Sequence, residues 1–443
     1  MAKKKQRVLI GLSGGVDSAV SAHLLLKAGY EVEGAFMKNW SSTVGLKLAE
    51  CPWLADRQEA LRVAAFLGIP LHTLDFEKQY QDTVMKYFFT EYQAGRTPNP
   101  DVMCNKEIKF KLLYNWAMDH GFDFLATGHY AQIGLSAKGT GLSKNQKADN
   151  LALSPTRLAL LRSTDEFKDQ TYFIYNIKTE QLPHVLFPIG GMKKPEVKKL
   201  AVKIGLPNAA RKESMGLCFV GKVRLKDFLE QKVKPRPGKV VLVNSEKLTV
   251  DSGSGSSPRE ERLGEVVVKD GVISKVSMTS SSSSSRGGGK DQERILGTHQ
   301  GLHNYTIGQR QGINVGGPGG PYFVLRKDLK KNILYVTNDP QDPGLEVSEV
   351  QLHSVNWITE LGLRAKGIGL RKNQRTDNLA LSPIIYTLTC RYRHQGDLVP
   401  CTVEQAGKDL YSVKFKTPQK ALASGQSIVF YKGKVCLGGG VIV

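Results

Sequence analysis

The first 130 residues alternate two hydrophobic periods. Consecutive apolar runs at 8–12, 32–37, 71–75 and 124–127 have the texture of strands buried on both faces. Between them, amphipathic stretches at 17–28, 56–67 and 105–120 predict helices, the first two stopped by Gly29 and Gly68. A further helix is expected over 193–205, its start marked by Pro195. Strands spaced by helices imply an α/β fold with a doubly wound parallel sheet, its ligands at the carboxyl ends of the strands.

After about residue 220 the pattern changes to short alternating runs cut by Gly, Pro and Asn: 240–242, 265–268, 323–325, 333–336, 386–391, 402–404, 411–415 and 427–431. That texture predicts a small central β-rich domain and then a C-terminal β-barrel. The expected boundaries are 1–221 for the catalytic domain, 222–312 for the middle and 313–443 for the barrel. Segment 251–290, rich in Ser and Gly, is expected to be a disordered loop. Residues 135–155 and 363–383 are identical at 16 of 21 aligned positions. Two copies far apart do not make a solenoid. They are read as functionally neutral inserts (134–157 and 362–383), each between strand-like runs where a hairpin tip lengthens at low entropic cost.

Charge adds a partner to this outline. Lys and Arg total 62 against 41 Asp and Glu, a formal net charge of +21, and such an excess favours a polyanion through counterion release. No apolar run approaches the roughly 20 residues that cross a bilayer. The N-terminus carries no signal core, so a cytoplasmic location is expected, with no membrane partner. Six scattered cysteines (51, 104, 218, 390, 401, 436) include no CxxC pair, which argues against a disulfide framework and a structural zinc.

The strongest local signal is Gly11-Leu12-Ser13-Gly14-Gly15-Val16-Asp17-Ser18, between a strand and a helix. Adjacent glycines let backbone N–H groups approach an anion, and the helix start adds partial positive charge. Ser13 and Ser18 can donate to phosphate oxygens, and Asp17 is a candidate magnesium ligand; no fixed metal is otherwise expected. The run lacks both the GK[ST] ending of P-loops and the GxGxxG spacing of dinucleotide folds. Further on, Cys104 stands beside Asn105, read as the N-cap of the following helix, a place that favours thiolate. Cys218 lies between Gly216 and Gly221. On local sequence alone, each cysteine is equally a core residue or a reactive one.

SGGVDS after a first strand resembles the PP-loop ATP pyrophosphatase superfamily. With MKNW (37–40), TPNPDVMCNKEIKF (97–110), ATGHYA (126–131), KDQTYF (168–173), ESMGLCFVG (213–221) and YTIGQRQG (305–312), the set follows the order of the tRNA-specific 2-thiouridylase family. The resemblance spans nearly the whole chain outside the two inserts and the Ser/Gly loop. It implies that Gly11 to Ser18, Met37 and Gly128 bind ATP, brought with Mg²⁺. Asn99, Pro100 and Asp101 would meet the target base. Cys104 would be the nucleophile and Cys218 the persulfide carrier, the two ending as a disulfide. His129, Lys168, Asp169 and Gln170, with Arg391, Tyr392 and Gln426 from the barrel, would touch the tRNA. The implied reaction adenylates O2 of the wobble uridine in the anticodon loop, then delivers sulfur from the persulfide. A persulfide-carrying donor protein and an external reductant are the further partners implied. Two alternatives remain open from the residues: another AMP-forming PP-loop enzyme, and a non-catalytic RNA-binding protein.

Overall fold

A computed structural model describes residues 4–41, 52–135, 158–212, 225–230, 232–243, 294–313, 315, 320–358 and 386–443. Strand β1 (Arg7–Gly11) carries Val8, Leu9 and Ile10, all fully buried. It leads into helix α1 (Val16–Lys27), which ends at Ala28 with Gly29 at φ +91°. That left-handed position is the usual helix stop for a residue without a Cβ. β2 (Glu31–Lys38), α2 (Pro52–Leu67), β3 (Leu71–Asp75) and β4 (Phe124–Ala126) follow. The hairpin β5 (Ala131–Leu135) and β6 (Leu158–Arg162) comes next, then β7 (Val185–Leu186).

The first sheet has the order β3-β2-β1-β4-β7 with every pair parallel. Chain direction across the sheet reverses between β1 and β4, so the crevice beyond their carboxyl ends is a topological switch point. The PP-loop follows β1 and Thr127-Gly128-His129 follows β4. The doubly wound expectation holds.

Beyond α1 and α2, the expected helix at Lys194–Lys203 packs Val197 and Ala201 into the core of Val8 and Ile10, and two more helical stretches share a second core. Continuous helix over 77–93, for which the sequence pattern gave no element, buries Tyr80, Val84, Phe88, Phe89 and Tyr92 in a core shared with Cys104. The helix expected to begin at Asn105 instead spans 100–119. Its N-cap is Asn99, whose Oδ1 accepts from the N–H groups of Asp101 (3.1 Å) and Val102 (3.2 Å), with Pro100 at the first turn. Proline there loses no needed donor, so the stronger start signal lies five residues before Cys104.

The middle sheet is mixed, with order β10-β11-β8-β9, built from β8 (Gly238–Leu242), β9 (Arg294–His299), β10 (Phe323–Asp328) and β11 (Ile333–Thr337). β10 and β11 thus sit in this sheet, past the expected boundary at 313. The run expected at 265–268 and the Ser/Gly loop lie outside the described residues.

The barrel is six antiparallel strands: β12 (Glu346–Trp357), β13 (Tyr386–Arg391), β14 (Val399–Gln405), β15 (Tyr411–Lys420), β16 (Ser427–Lys432) and β17 (Val435–Ile442). The order β12-β15-β14-β13-β16-β17 closes through β12–β17 pairing, which removes free edges. Hairpin β5–β6 joins β17 at Leu160 and Leu161, so one hairpin of the N-terminal region is stitched to the barrel. The first repeated insert falls at the tip of that hairpin. The second, expected in a similar place, joins β12 and β13, which are not neighbours. Both inserts lie mainly outside the described residues.

Candidate active site

The PP-loop is shaped by its own hydroxyls and by side chains from far along the chain. Ser18 Oγ donates to Gly15 O (3.0 Å) and accepts from Ser13 N (3.3 Å). Gly14 sits at φ +75°, and its carbonyl accepts from Asn208 Nδ2 (2.8 Å) and Arg211 Nη1 (2.9 Å). A Cβ there would meet Asp56 O at 2.6 Å. Gly15 caps α1 with no side-chain hydrogen bond, so the first amides of the helix keep the orphan donors that anion sites use.

Gly128 completes this end. A Cβ on it would stand 2.8 Å from Ser18 N and 2.9 Å from Asp17 C. Only a glycine lets the β4 turn press against the first turn of α1. Met37, 6% exposed near the end of β2, lies in the adjoining apolar core.

Asp17 does not fit the expected role of metal ligand. Both its oxygens accept from Lys194 Nζ, at 2.7 and 2.8 Å, and Oδ1 also accepts from Tyr130 OH at 3.0 Å. No group of three metal-ligating side chains occurs among the described residues. In this structure the Asp17 carboxylate is committed to Lys194 and Tyr130.

Cys104 is 1% exposed. It lies in the helix 100–119, which reaches the first sheet at Leu113, 3.6 Å from where a Cβ on Gly11 would stand. Because the helix starts at Pro100, its terminal field, which fades within the first turn, is about a turn away from Cys104. Asn105, expected as the cap, donates from Nδ2 to Phe173 O at 3.1 Å and so holds this helix against Thr171–Ile174. Among the other cysteines, Cys390 and Cys401 face each other inside the barrel and Cys436 is fully buried. Hydrogen bonding to Cys401 and burial push the Cys390 thiol up, and burial does the same to Cys436. These three are core residues. Cys51 and Cys218 lie outside the described residues, as do the neighbours of Cys218 from 213 to 221.

The expected tRNA contacts divide. Asp169 and Arg391 are buried against each other, with Nη1 to Oδ2 at 2.8 Å, and neither side chain is open to solvent in this structure. His129, 7% exposed, is also turned inward: Nδ1 lies 2.8 Å from Thr127 Oγ1 and Nε2 3.4 Å from Lys109 Nζ. Burial, helped by the Lys109 ammonium, pushes the imidazole well below its ordinary value near 6.5. A neutral ring that accepts from Lys109 at Nε2 must carry its proton on Nδ1, donating to Thr127. Gln170 accepts the Tyr130 N–H at 2.9 Å. Gln426 donates to Thr97 O at 2.7 Å, and Tyr392 donates from OH to Gln419 at 3.0 Å. Lys168 stays partly exposed, its Nζ 6.0 Å from the Phe167 ring.

Asn208, Arg211, Lys194, Thr127 and Lys109 shape the site without having been singled out in the sequence. The first three act on the loop from 177 to 197 residues away, a distance over which no local pattern speaks. Lys109 and Thr127 fall inside motifs that drew attention to other members.

Comparison with known proteins places these features in a family. Residues 6–222 match a tRNA methyl transferase HUP domain, 281–338 a tRNA methyl transferase PRC-barrel domain, and 379–442 an aminomethyltransferase β-barrel domain. A tRNA-specific 2-thiouridylase MnmA of Flavobacterium johnsoniae is 37% identical over 99% of this chain and 100% of its own length. One from Halalkalibacterium halodurans is 38% identical over 99% of this chain and 95% of its own. Among solved structures, a 4-thiouridine synthetase–RNA complex with bound ATP aligns with 51% of this chain and 50% of that chain, at 17% identity and a TM-score of 0.29.

Proposed function

The chain belongs to the tRNA-specific 2-thiouridylase family, and from that premise we propose how its residues divide the reaction. It is an ATP-dependent sulfurtransferase that acts on tRNA. In the proposed division, Gly11 to Ser18, closed by Gly128 and bordered by Met37, cradle the ATP phosphates. The uncapped start of α1, against which Gly128 is pressed, is the observation that carries this assignment. Mg²⁺ would enter on the nucleotide, with Asp17 committed to Lys194.

A uracil oxygen is a poor leaving group, so it must first be made one. AMP attached to O2 of the wobble uridine lets that oxygen depart on phosphorus, which is why ATP is consumed. Backbone N–H groups aimed at the phosphates stabilise the developing charge. Asn99 spends its side chain on capping the helix, so Asn99, Pro100 and Asp101 would form the turn that meets the base and leads to Cys104. The base must be unstacked to reach it. Cys218 would carry the sulfur as a persulfide and Cys104 would act as nucleophile. The sulfur reaches C2 either directly from the persulfide or as sulfide released by Cys104. Either order leaves a Cys104–Cys218 disulfide, reopened by an external reductant, and needs a persulfide-carrying donor protein to reload Cys218.

The test incubates the protein with ATP, Mg²⁺, a persulfide-carrying donor protein, a thiol reductant and unmodified tRNA, reading pyrophosphate release and 2-thiouridine mass separately. C104S and C218S should each lose thiolation while C218S keeps tRNA-dependent pyrophosphate release. Undiminished 2-thiouridine from C218S would defeat the proposed division.

A further inference from the structure

Helix 100–119 changes pitch where it matters most. From Asn105 to Leu113 it is wound as a π-helix, and the N–H of Tyr114 reaches back five residues to Lys109 O. In an α-helix, residues five apart differ by about 140° around the axis. The wider π turn, with i to i+5 bonding, brings such residues close to the same face. Cys104 and Lys109 are five apart, so the pitch change turns Lys109 closer to the helix face of the thiol than an α-helix would.

Lys109 is held toward the strand ends by a neutral ring. His129 Nε2 lies 3.4 Å from its Nζ, and Thr127 fixes that ring from the other side at 2.8 Å. Both residues flank Gly128, which presses on the first turn of α1. The ammonium therefore lies against the Thr127–His129 turn that borders the phosphate cradle, on the same helix as Cys104. The other cations of this π-helical stretch are matched: Lys106 and Lys111 reach Glu107 at 3.8 and 2.6 Å. No carboxylate pairs with Lys109 among the described residues. A positive charge propped on a neutral imidazole at a switch-point crevice lacks its counter-anion.

We propose that Lys109 is a further catalytic residue, whose ammonium contacts the phosphate of the adenylated uridine and stabilises it as a leaving group. This rests on the proposed reading of Cys104 and the PP-loop. When sulfur attacks C2, its electron pair forms the C–S bond. The C2–O2 pair departs with the oxygen, so AMP leaves with one more negative charge. Lys109 keeps its proton and donates a hydrogen bond to that charge. His129 acts through Lys109 as a positioning residue, which accounts for a buried neutral histidine at this place.

The test compares K109Q and K109R with C104S, following pyrophosphate release, 2-thiouridine formation in a single turnover, and thermal unfolding. Loss of one preorganised donor costs about 10²- to 10³-fold. K109Q should therefore slow thiolation by about that factor while pyrophosphate release stays within about fivefold. K109R, keeping the charge, should regain at least about tenfold of the loss and unfold with the wild type. Wild-type thiolation by K109Q, or equal loss of both steps, or no rescue by a folded K109R, would overturn the proposal. Thiolation surviving in C104S would instead defeat the reading beneath it, whatever Lys109 does.

Discussion

Arg391 on β13 donates from Nη1 to Oδ2 of Asp169 across 2.8 Å, and the two side chains are 7% and 0% exposed. Asp169 also accepts from Thr171 Oγ1 (3.0 Å), Ser163 N (3.3 Å) and Arg162 Nε (3.4 Å). The carboxylate is thus the hub that ties the turn after hairpin β5–β6 to the barrel. Removing one member of a buried pair strands the other, at about 3–5 kcal/mol. D169A strands Arg391 and leaves Arg162 only the exposed Glu166 at 3.5 Å, so it should fall near the top of that range. R391M leaves Asp169 its remaining donors and should fall near the bottom. Urea unfolding would check this order; two variants within about 1 kcal/mol of wild type would remove the pair from the stability of the fold.

Gly128 gives a prediction about the nucleotide step. An added Cβ must displace the backbone at Asp17 and Ser18, which cannot swing aside as a flexible side chain could. G128A should raise the KM for ATP, or lower tRNA-dependent pyrophosphate release, by at least about tenfold, since misplacing a catalytic frame by an ångström costs on that order or more. Gly191, whose Cβ would meet nothing within 4 Å, supplies the control, and G191A should behave as wild type. Equal kinetics for the two variants would show that the close approach has no part in ATP use.

Much of this architecture was readable in advance, for physical reasons. The parallel sheet announces itself because each strand is a short continuous apolar run, and the PP-loop because glycines and hydroxyls crowd one strand–helix junction. The Cys104 helix starts at the first of two nearby asparagines, Asn99, and not at Asn105. Both are good cap residues, but Asn99 is followed by Pro100, which makes it the better cap signal. Arg391 and Asp169 were separately legible as polar residues in motifs. Their burial was not, since each is the other's partner across 222 residues. The π-helical pitch leaves no mark in the apolar pattern at all.

Lys327 predicts a pH dependence in the joint between the middle sheet and the loop before Cys104. Its Nζ donates to Gly95 O and to Tyr305 O (2.9 Å), and burial pushes its pKa down to about 8 from 10.5. Between those values the unfolded chain holds a proton that the folded chain lacks, so stability rises with pH across that window. The contribution is fully present above 10.5 and is lost as pH falls through 8. Relative to K327M, the wild type should gain on the order of 3 kcal/mol between pH 7 and pH 10.5. A stability difference that stays flat over this window would mean that the ammonium is solvated.

The excess of 21 positive charges makes a prediction for tRNA binding that also tests the repeated inserts. Each phosphate neutralised on single-stranded RNA contributes about −0.7 to the slope of log K against log salt. Five such contacts would weaken binding by about a hundredfold between 50 and 200 mM salt. The inserts 134–157 and 362–383 bring Lys and Arg of their own, including Lys138, Lys144, Lys147, Arg364, Lys366 and Arg371. If they are neutral additions, a chain lacking both should keep the slope within about one unit and thiolate at the wild-type rate. A slope that shrinks by two or more units would make them arms that hold the RNA. A slope near zero in the intact chain would instead detach the basic charge from tRNA altogether, since a polyanion cannot be gripped by phosphate contacts without releasing its counterions.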